Sequence, residues 1–267
     1  VSSITEINKA QQVILNQTAT SFLTANALHS LVAEHLLEHL ECIQLTPDCI
    51  LDLGCGTGAL LSSLKQRFKK TKILGVDVAY ERLAKHTQPS FFGDKRLLCC
   101  ANATALPLAD ASVDMVISNL MSHWCGEPEL WLKEAKRVLK TDGLLIFSYF
   151  ATDTFKEIGP AKTPFLDMHD MGDLLVKIGF TQPVLDMENI TVDYDNHADM
   201  VADLEATGEI ALIELQPQPM VTPTLTYEIV YAHAWKSATP MTSKIDQDGM
   251  VRIPLDKITR PSKSVVE

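Results

Sequence analysis

Between residues 49 and 150 short apolar runs alternate with longer amphipathic stretches, and few folds other than a parallel sheet accommodate that order. The runs fall at 49–53, 72–76, 96–100, 113–118 and 144–149, and helical patterning covers 57–70, the stretch from Tyr80 onward, and 129–139. Cys49-Ile50-Leu51-Asp52-Leu53 is apolar almost throughout rather than alternating, which is the mark of a strand buried on both faces. Strands separated by helices imply right-handed crossovers. The expectation is therefore an α/β fold with helices on both faces of a mostly parallel sheet.

The flanks read differently. Leu28, Leu31, Val32, Leu36 and Leu40 recur at helical spacing, so residues 1–45 are expected to form a helical lid. After Phe150 the alternation loosens around Gly159-Pro160, Pro164 and Pro183, and 152–224 is expected to be a small cap inserted after the fifth strand. Leu225, Tyr227, Ile229, Tyr231, His233 and Trp235 share one face of a late strand, expected at the sheet edge. The whole of 1–240 reads as one domain, and 241–267 as a mobile tail.

Composition closes off several classes of function. A formal net charge of −11 argues against nucleic-acid binding, which depends on Lys and Arg neutralising phosphates. The longest apolar runs fall well short of the roughly 18 residues a membrane-spanning helix needs. Val1-Ser2-Ser3 opens no signal-peptide pattern, so cytoplasm is the expected location. Cys42, Cys49, Cys55, Cys99, Cys100 and Cys125 show no metal-ligand spacing and are expected to be buried thiols.

The chemistry concentrates where strands end. Asp52-Leu53-Gly54-Cys55-Gly56-Thr57-Gly58 follows the first strand and opens a helix, the place where an open α/β sheet binds its ligand. Gly54, Gly56 and Gly58 give G-x-G-x-G after an acid, not the G-x-G-x-x-G of dinucleotide enzymes, although a plain tight turn would use the same glycines. Asp77, followed by Val78, ends the second strand nineteen residues past Gly58, where a carboxylate can accept both hydroxyls of a ribose or simply face solvent. Asn102-Ala103 ends the third strand, and Asn102 can meet an adenine edge or form a turn. Ser118-Asn119-Leu120-Met121-Ser122-His123-Trp124-Cys125 ends the fourth. There Asn119 is a candidate orienting group, while His123 and Trp124 are candidate pocket residues or packing.

The Asp52–Gly58 segment resembles motif I of class I methyltransferases, which implies a Rossmann-like sheet and S-adenosylmethionine as cofactor. The resemblance implies cofactor contacts by Asp52, Gly54, Cys55, Gly56, Gly58, Asp77, Val78, Asn102, Ala103 and Asn119, and requires no metal. A narrower likeness lies in Leu106-Pro107-Leu108, Val113-Asp114-Met115-Val116-Ile117-Ser118-Asn119-Leu120, Trp124-Cys125 and His233-Ala234-Trp235. These are similar to the malonyl-acyl-carrier-protein O-methyltransferases of biotin synthesis. That family methylates the free carboxylate of a malonyl thioester, and its acidic carrier-protein partner gives Lys133, Lys136, Arg137 and Lys140 a docking role. A second basic cluster runs through Lys65, Arg67, Lys69, Lys70 and Lys72.

Two stretches depart from the family pattern. Ser21-Phe22-Leu23-Thr24 stands where the family carries Tyr-Asp, and no arginine lies between Arg137 and Arg252 to hold a substrate carboxylate, leaving Lys162 or a histidine as stand-ins. Ala206-Thr207-Gly208-Glu209 likewise replaces a Gly-Ala motif. Another methyl acceptor therefore stays open, as does an assembly factor resembling the complex I assembly and hydroxylase relatives of this family.

Overall fold

A computed structural model describes residues 12–23, 25–85, 97–159, 161–162, 164–214 and 223–237. The tail expected over 241–267 lies outside the described residues.

Seven strands form one sheet: β1 (Cys49–Leu53), β2 (Lys72–Asp77), β3 (Leu97–Cys100), β4 (Val113–Ser118), β5 (Leu139–Phe150), β6 (Thr181–Asp193) and β7 (Thr224–Lys236). Their spatial order is β3-β2-β1-β4-β5-β7-β6. β1 to β5 are parallel, and β7 runs antiparallel between β5 and β6. The helices are α1 (Ala27–Glu41), α2 (Ala59–Arg67), α3 (Tyr80–Ala84), α4 (Pro128–Val138), α5 (Met168–Ile178) and α6 (His197–Thr207). None of the described helices is long and apolar enough to cross a membrane.

Side-chain alternation along the central strands makes two cores. Leu51, Val116, Leu145 and Phe147 face one way, against Trp131 of α4 and Met171 and Leu175 of α5. Ile50, Met115, Ile117 and Ile146 face the other, against Leu36 and Leu40 of α1, Leu60 and Leu64 of α2 and Leu204 of α6. Helices on both faces are what such doubly buried strands require.

Two expectations about the second half are corrected. β7 is not the edge strand, because it pairs with β5 from Gly143↔Lys236 to Phe150↔Ile229 and with β6 on its other side. The edge is β6, inside the stretch expected to be a cap, so the α5–β6 part of 152–224 belongs to the sheet. Pro183 reads as a breaker, yet it is tolerated because it sits where the β6–β7 register shifts, between Thr181 and Val184, on a strand with no outer neighbour. The thiols are corrected too: Cys55 and Cys125 are buried, whereas Cys42, Cys99 and Cys100 are exposed.

Trp131 anchors the first core. It is wholly buried, meets Phe147 edge-on at 5.1 Å, and its Nε1–H donates to Ser122 Oγ at 3.1 Å. Trp131→Ala is expected to lower the unfolding free energy by about 3–5 kcal/mol in urea titration. Trp131→Phe, which keeps most of the volume, should cost much less.

Candidate active site

The parallel strands all end at one edge, and the turns that leave them enclose a cleft with about 1040 Å³ of space out to its mouth. Asp52, Gly54, Cys55, Gly56, Gly58, Asp77, Val78, Asn102, Ala103, Asn119 and Trp124 all line it. The structure thus brings together the ends of four strands that are far apart in the chain.

The glycine turn is fastened to β2. Gly54 N–H and Cys55 N–H both donate to Val76 O, at 2.7 and 3.1 Å. Gly54 has φ +79°, and a Cβ there would stand 2.7 Å from Met121 Cβ, so only glycine fits. Asp77 Oδ2 accepts Gly56 N–H and Oδ1 accepts Ala79 N–H, each at 2.8 Å, which fixes a buried carboxylate between two turns. Asp52 is 1% exposed, and its Oδ2 has no hydrogen-bond partner among the described residues. Burial raises its pKa well above the ordinary carboxylate range, with the charge of Asp77 adding to the effect. An unpartnered buried carboxyl of this kind calls for a cation or donor from a ligand.

Asn102 resolves its two readings by doing one thing with each end. Its Oδ1 accepts Thr104 N–H and Thr104 Oγ1–H, both at 3.0 Å, and so forms the turn. Its Nδ2 makes no hydrogen bond among the described residues and can donate into the cleft. Asn119 is structural on both sides: Ser148 Oγ–H donates to its Oδ1 at 2.8 Å, and its Nδ2–H donates to His29 O at 2.9 Å, which ties β5 to α1.

His123 is corrected as a pocket residue. It is absent from the cleft lining, and its ring stacks on Phe150 at 4.6 Å and 13°. Both ring nitrogens are buried without partners among the described residues, and burial pushes its pKa well below the usual histidine value. It is a neutral packing ring and no proton carrier.

Three functional candidates escape sequence reading: His29, Arg82 and Glu209. His29 and Arg82 line the cleft, and Glu209 Oε1 lies 3.6 Å from His29 Nε2. Burial lowers the His29 pKa to about 3 and raises that of Glu209 to about 8, so both are neutral at neutral pH. The overlooked signal is an arginine five residues past the strand-end Asp77, on a helix short enough to bring it back over the cleft. Lys162 is no stand-in, since its exposed Nζ donates to Ala211 O at 3.0 Å and it is outside the lining.

The basic side chains of α4 are already engaged. Lys133 pairs with Glu129 at 2.7 Å, Arg137 with Glu134 and Asp110, and Lys140 with Asp114, while Lys136 Nζ donates to Ile178 O. Arg137 and Lys140 also sit at the far end of the sheet, because Leu139 pairs with Val113, the first residue of β4, and Ala111 N–H donates to Arg137 O, whereas the cleft lies past Ser118, the last residue of β4. Lys72 opens β2 and shares that remote edge.

A sheet of order 3-2-1-4-5-7-6 with its last inner strand antiparallel, an Asp-led glycine turn after β1 and a carboxylate after β2 together define a class I S-adenosylmethionine-dependent methyltransferase. Residues 51–147 match the family model described as a methyltransferase domain. A malonyl-[acyl-carrier protein] O-methyltransferase of Methylovorus sp. (strain MP688) is 35% identical, the match covering 83% of this chain and 86% of that protein. The protein of the same name from Gallionella capsiferriformans (strain ES-2) is 34% identical over 90% of this chain and 93% of its own. Among solved structures, the fold is similar to Burkholderia thailandensis 1,6-didemethyltoxoflavin-N1-methyltransferase, with TM-score 0.56, 17% identity, and coverage of 88% of this chain and 90% of that one. The chain belongs to the malonyl-acyl-carrier-protein O-methyltransferase family.

Two outcomes follow for cofactor binding. Asp77→Ala is expected to weaken S-adenosylhomocysteine binding by about 100-fold or more in calorimetry, because it removes the buried carboxylate that fixes both turns of the cleft and that we propose accepts the ribose hydroxyls. The raised pKa of Asp52 gives a pH dependence of definite sign. As pH falls through that pKa the carboxylate gains a proton and loses its attraction for the cofactor ammonium, so affinity for S-adenosylmethionine should fall. Calorimetry in buffers of differing ionisation heat should then register proton release on binding, which Asp52→Asn abolishes.

Proposed function

We propose that this chain transfers a methyl group to the free carboxylate of a malonyl thioester on acyl carrier protein, in the synthesis of the pimeloyl moiety of biotin. The observation that carries this reading is the 35% and 34% identity, over most of both chains, to proteins named malonyl-[acyl-carrier protein] O-methyltransferase, and the protonation of the cleft histidine agrees with it. His29 is the only histidine of the described lining, and with a pKa of about 3 it is too weak a base to activate a hydroxyl or an ammonium acceptor at neutral pH. A carboxyl with an ordinary pKa near 4 arrives already ionised and needs no base. The curated relatives carry that activity in their names.

Bound S-adenosylmethionine supplies a methyl on a sulfonium centre. The work left to the protein is binding and alignment: Asp77 takes the ribose hydroxyls, Asn102 Nδ2 the adenine edge, and Asp52 the cofactor's amino group. Asn119, held by Ser148 and His29, fixes the Leu120–Trp124 wall on the acceptor side. Placing acceptor oxygen and methyl in line while excluding water is enough for large rate gains. Leu15 and Phe22, both buried, roof the cleft and serve that exclusion.

Carrier-protein docking at Lys133, Lys136, Arg137 and Lys140 fits poorly with this geometry. Lys140, beside the start of β4, lies roughly 17 Å from the cleft along that strand at about 3.3 Å per residue. Docking on the cleft side, around the mouth, suits delivery of a tethered thioester better.

The test is incubation with S-adenosylmethionine and either malonyl or acetyl carrier protein, followed by intact-mass analysis. The malonyl form should gain one CH2, as a methyl replaces the carboxyl proton and S-adenosylhomocysteine is released, and the acetyl form should gain nothing. Cofactor binding without any gain on malonyl carrier protein would overturn the substrate assignment.

A further inference from the structure

Arg82 is the only Lys or Arg among the described residues that line the cleft. It is 6% exposed, yet all its hydrogen bonds go to uncharged acceptors. Nε–H donates to Leu15 O at 3.2 Å, and Nη2–H donates to Thr18 Oγ1 at 3.1 Å and Thr207 O at 3.2 Å. The guanidinium lies 4.2 Å over the Phe22 ring. Among the described residues, Nη1 makes no hydrogen bond and the group forms no ion pair. Burial pushes the Glu209 carboxyl up to about 8, and Asp77 and Glu209 act on the guanidinium through their charge without a direct hydrogen bond to it among the described residues, while desolvation outweighs both and lowers its pKa.

A buried cation left this way is costly, and proteins keep one where a counter-ion arrives with a ligand. The neighbouring atoms point the same way. His29 Nδ1 and Glu209 Oε1 are buried and unpartnered among the described residues, and the 3.6 Å between His29 Nε2 and Glu209 Oε1 is too long for a hydrogen bond. Phe22 bridges the group, with its ring 4.9 Å from that of His29. Three polar side chains thus converge with donors and acceptors unfilled.

We propose that Arg82 is the specificity-determining residue of the acceptor side, its open Nη1 edge receiving the carboxylate of the methyl acceptor. The inference rests on the carboxylate-methylating reading above and adds to it the residue that selects an acid over a neutral acyl group. It also answers the lack of an arginine between Arg137 and Arg252, because the carboxylate partner is supplied from the β2–α3 connection instead. One oxygen held by Nη1–H leaves the other free to face the methyl group.

The experiment measures binding of the malonyl and acetyl thioesters of N-acetylcysteamine to S-adenosylhomocysteine-loaded protein by calorimetry, alongside KM and kcat for malonyl. Parent, Arg82→Met and Arg82→Lys are compared. Arg82→Met should weaken malonyl binding and raise its KM by about 30-fold or more, with acetyl binding and homocysteine-cofactor affinity changed by no more than about threefold. Arg82→Lys should recover part of the loss, as a point charge replaces a fork. Equal weakening of malonyl and acetyl binding would overturn the proposal by making Arg82 a packing latch, as would an unchanged malonyl affinity in Arg82→Met. Should Arg82→Met not fold, a crystal structure of the parent with S-adenosylhomocysteine and malonyl thioester decides. A carboxylate within hydrogen-bond distance of Nη1 supports the proposal, and one held elsewhere overturns it. A parent that binds malonyl through Arg82 but never methylates it would instead sink the reaction assignment and leave the acid-recognition site standing.

Discussion

The cleft depends on one short segment, residues 76–82, and above all on the way Asp77 is held. Its carboxylate takes backbone N–H groups from two turns, Gly56 after β1 and Ala79 after β2, so neither turn can move without releasing the other. Val76 O takes two more from Gly54 and Cys55. The lid is fastened to the same place: Gln12 Nε2–H donates to Val78 O at 2.9 Å, Glu81 N–H to Asn16 Oδ1 at 3.0 Å, and Arg82 reaches Leu15, Thr18 and Thr207. The segment that fastens the two turns of the cleft floor also holds the roof and the end of α6, so floor and roof are joined through a few residues rather than through the sheet as a whole.

The electrostatics of the site run opposite to those of the surface. The chain is strongly acidic overall, but inside the cleft burial pushes the carboxyls of Asp52 and Glu209 up and lowers the His29 pKa to about 3. Solvated pairs such as Lys133–Glu129 are worth little by comparison, because water screens them. Exposed charge tells little about function here. The groups that matter are those whose desolvation has not been compensated within the fold.

That contrast explains what the sequence makes legible. The parallel core is readable because doubly buried strands are apolar end to end, and β1, β2 and β4 stand within a residue of their expected bounds. The G-x-G-x-G turn and Asp77 are readable because backbone approach and ribose binding demand those residue types at that spacing. β6 is not, since an edge strand wetted on one side carries Gln182, Pro183, Asp186, Glu188 and Asn189 and imitates a loop. His123 misleads in the other direction: its position after β4 suggests the pocket, while its neighbours Phe150 and Phe165 draw the ring into an aromatic cluster that only tertiary packing assembles. Arg82, His29 and Glu209 come from three distant segments, and no local pattern announces that they meet.

Phe22 ties these points together. A tyrosine would bring a hydroxyl to the roof, whereas phenylalanine brings only a ring, and here that ring is covered on one side by Arg82 and met edge-on by His29. The face of an aromatic ring attracts a guanidinium without consuming its hydrogen-bond donors. Phe22 can therefore hold Arg82 in place while leaving Nη1 uncommitted, which a hydroxyl or carboxylate at this position would not do. Gly208 completes the arrangement. With φ +91°, a conformation that L side chains rarely adopt, it turns the chain at the end of α6 between Thr207, whose O accepts from Arg82, and Glu209, which stands beside His29. Phe22, Thr207 and Glu209 thus meet around one guanidinium, although they come from segments far apart in the chain.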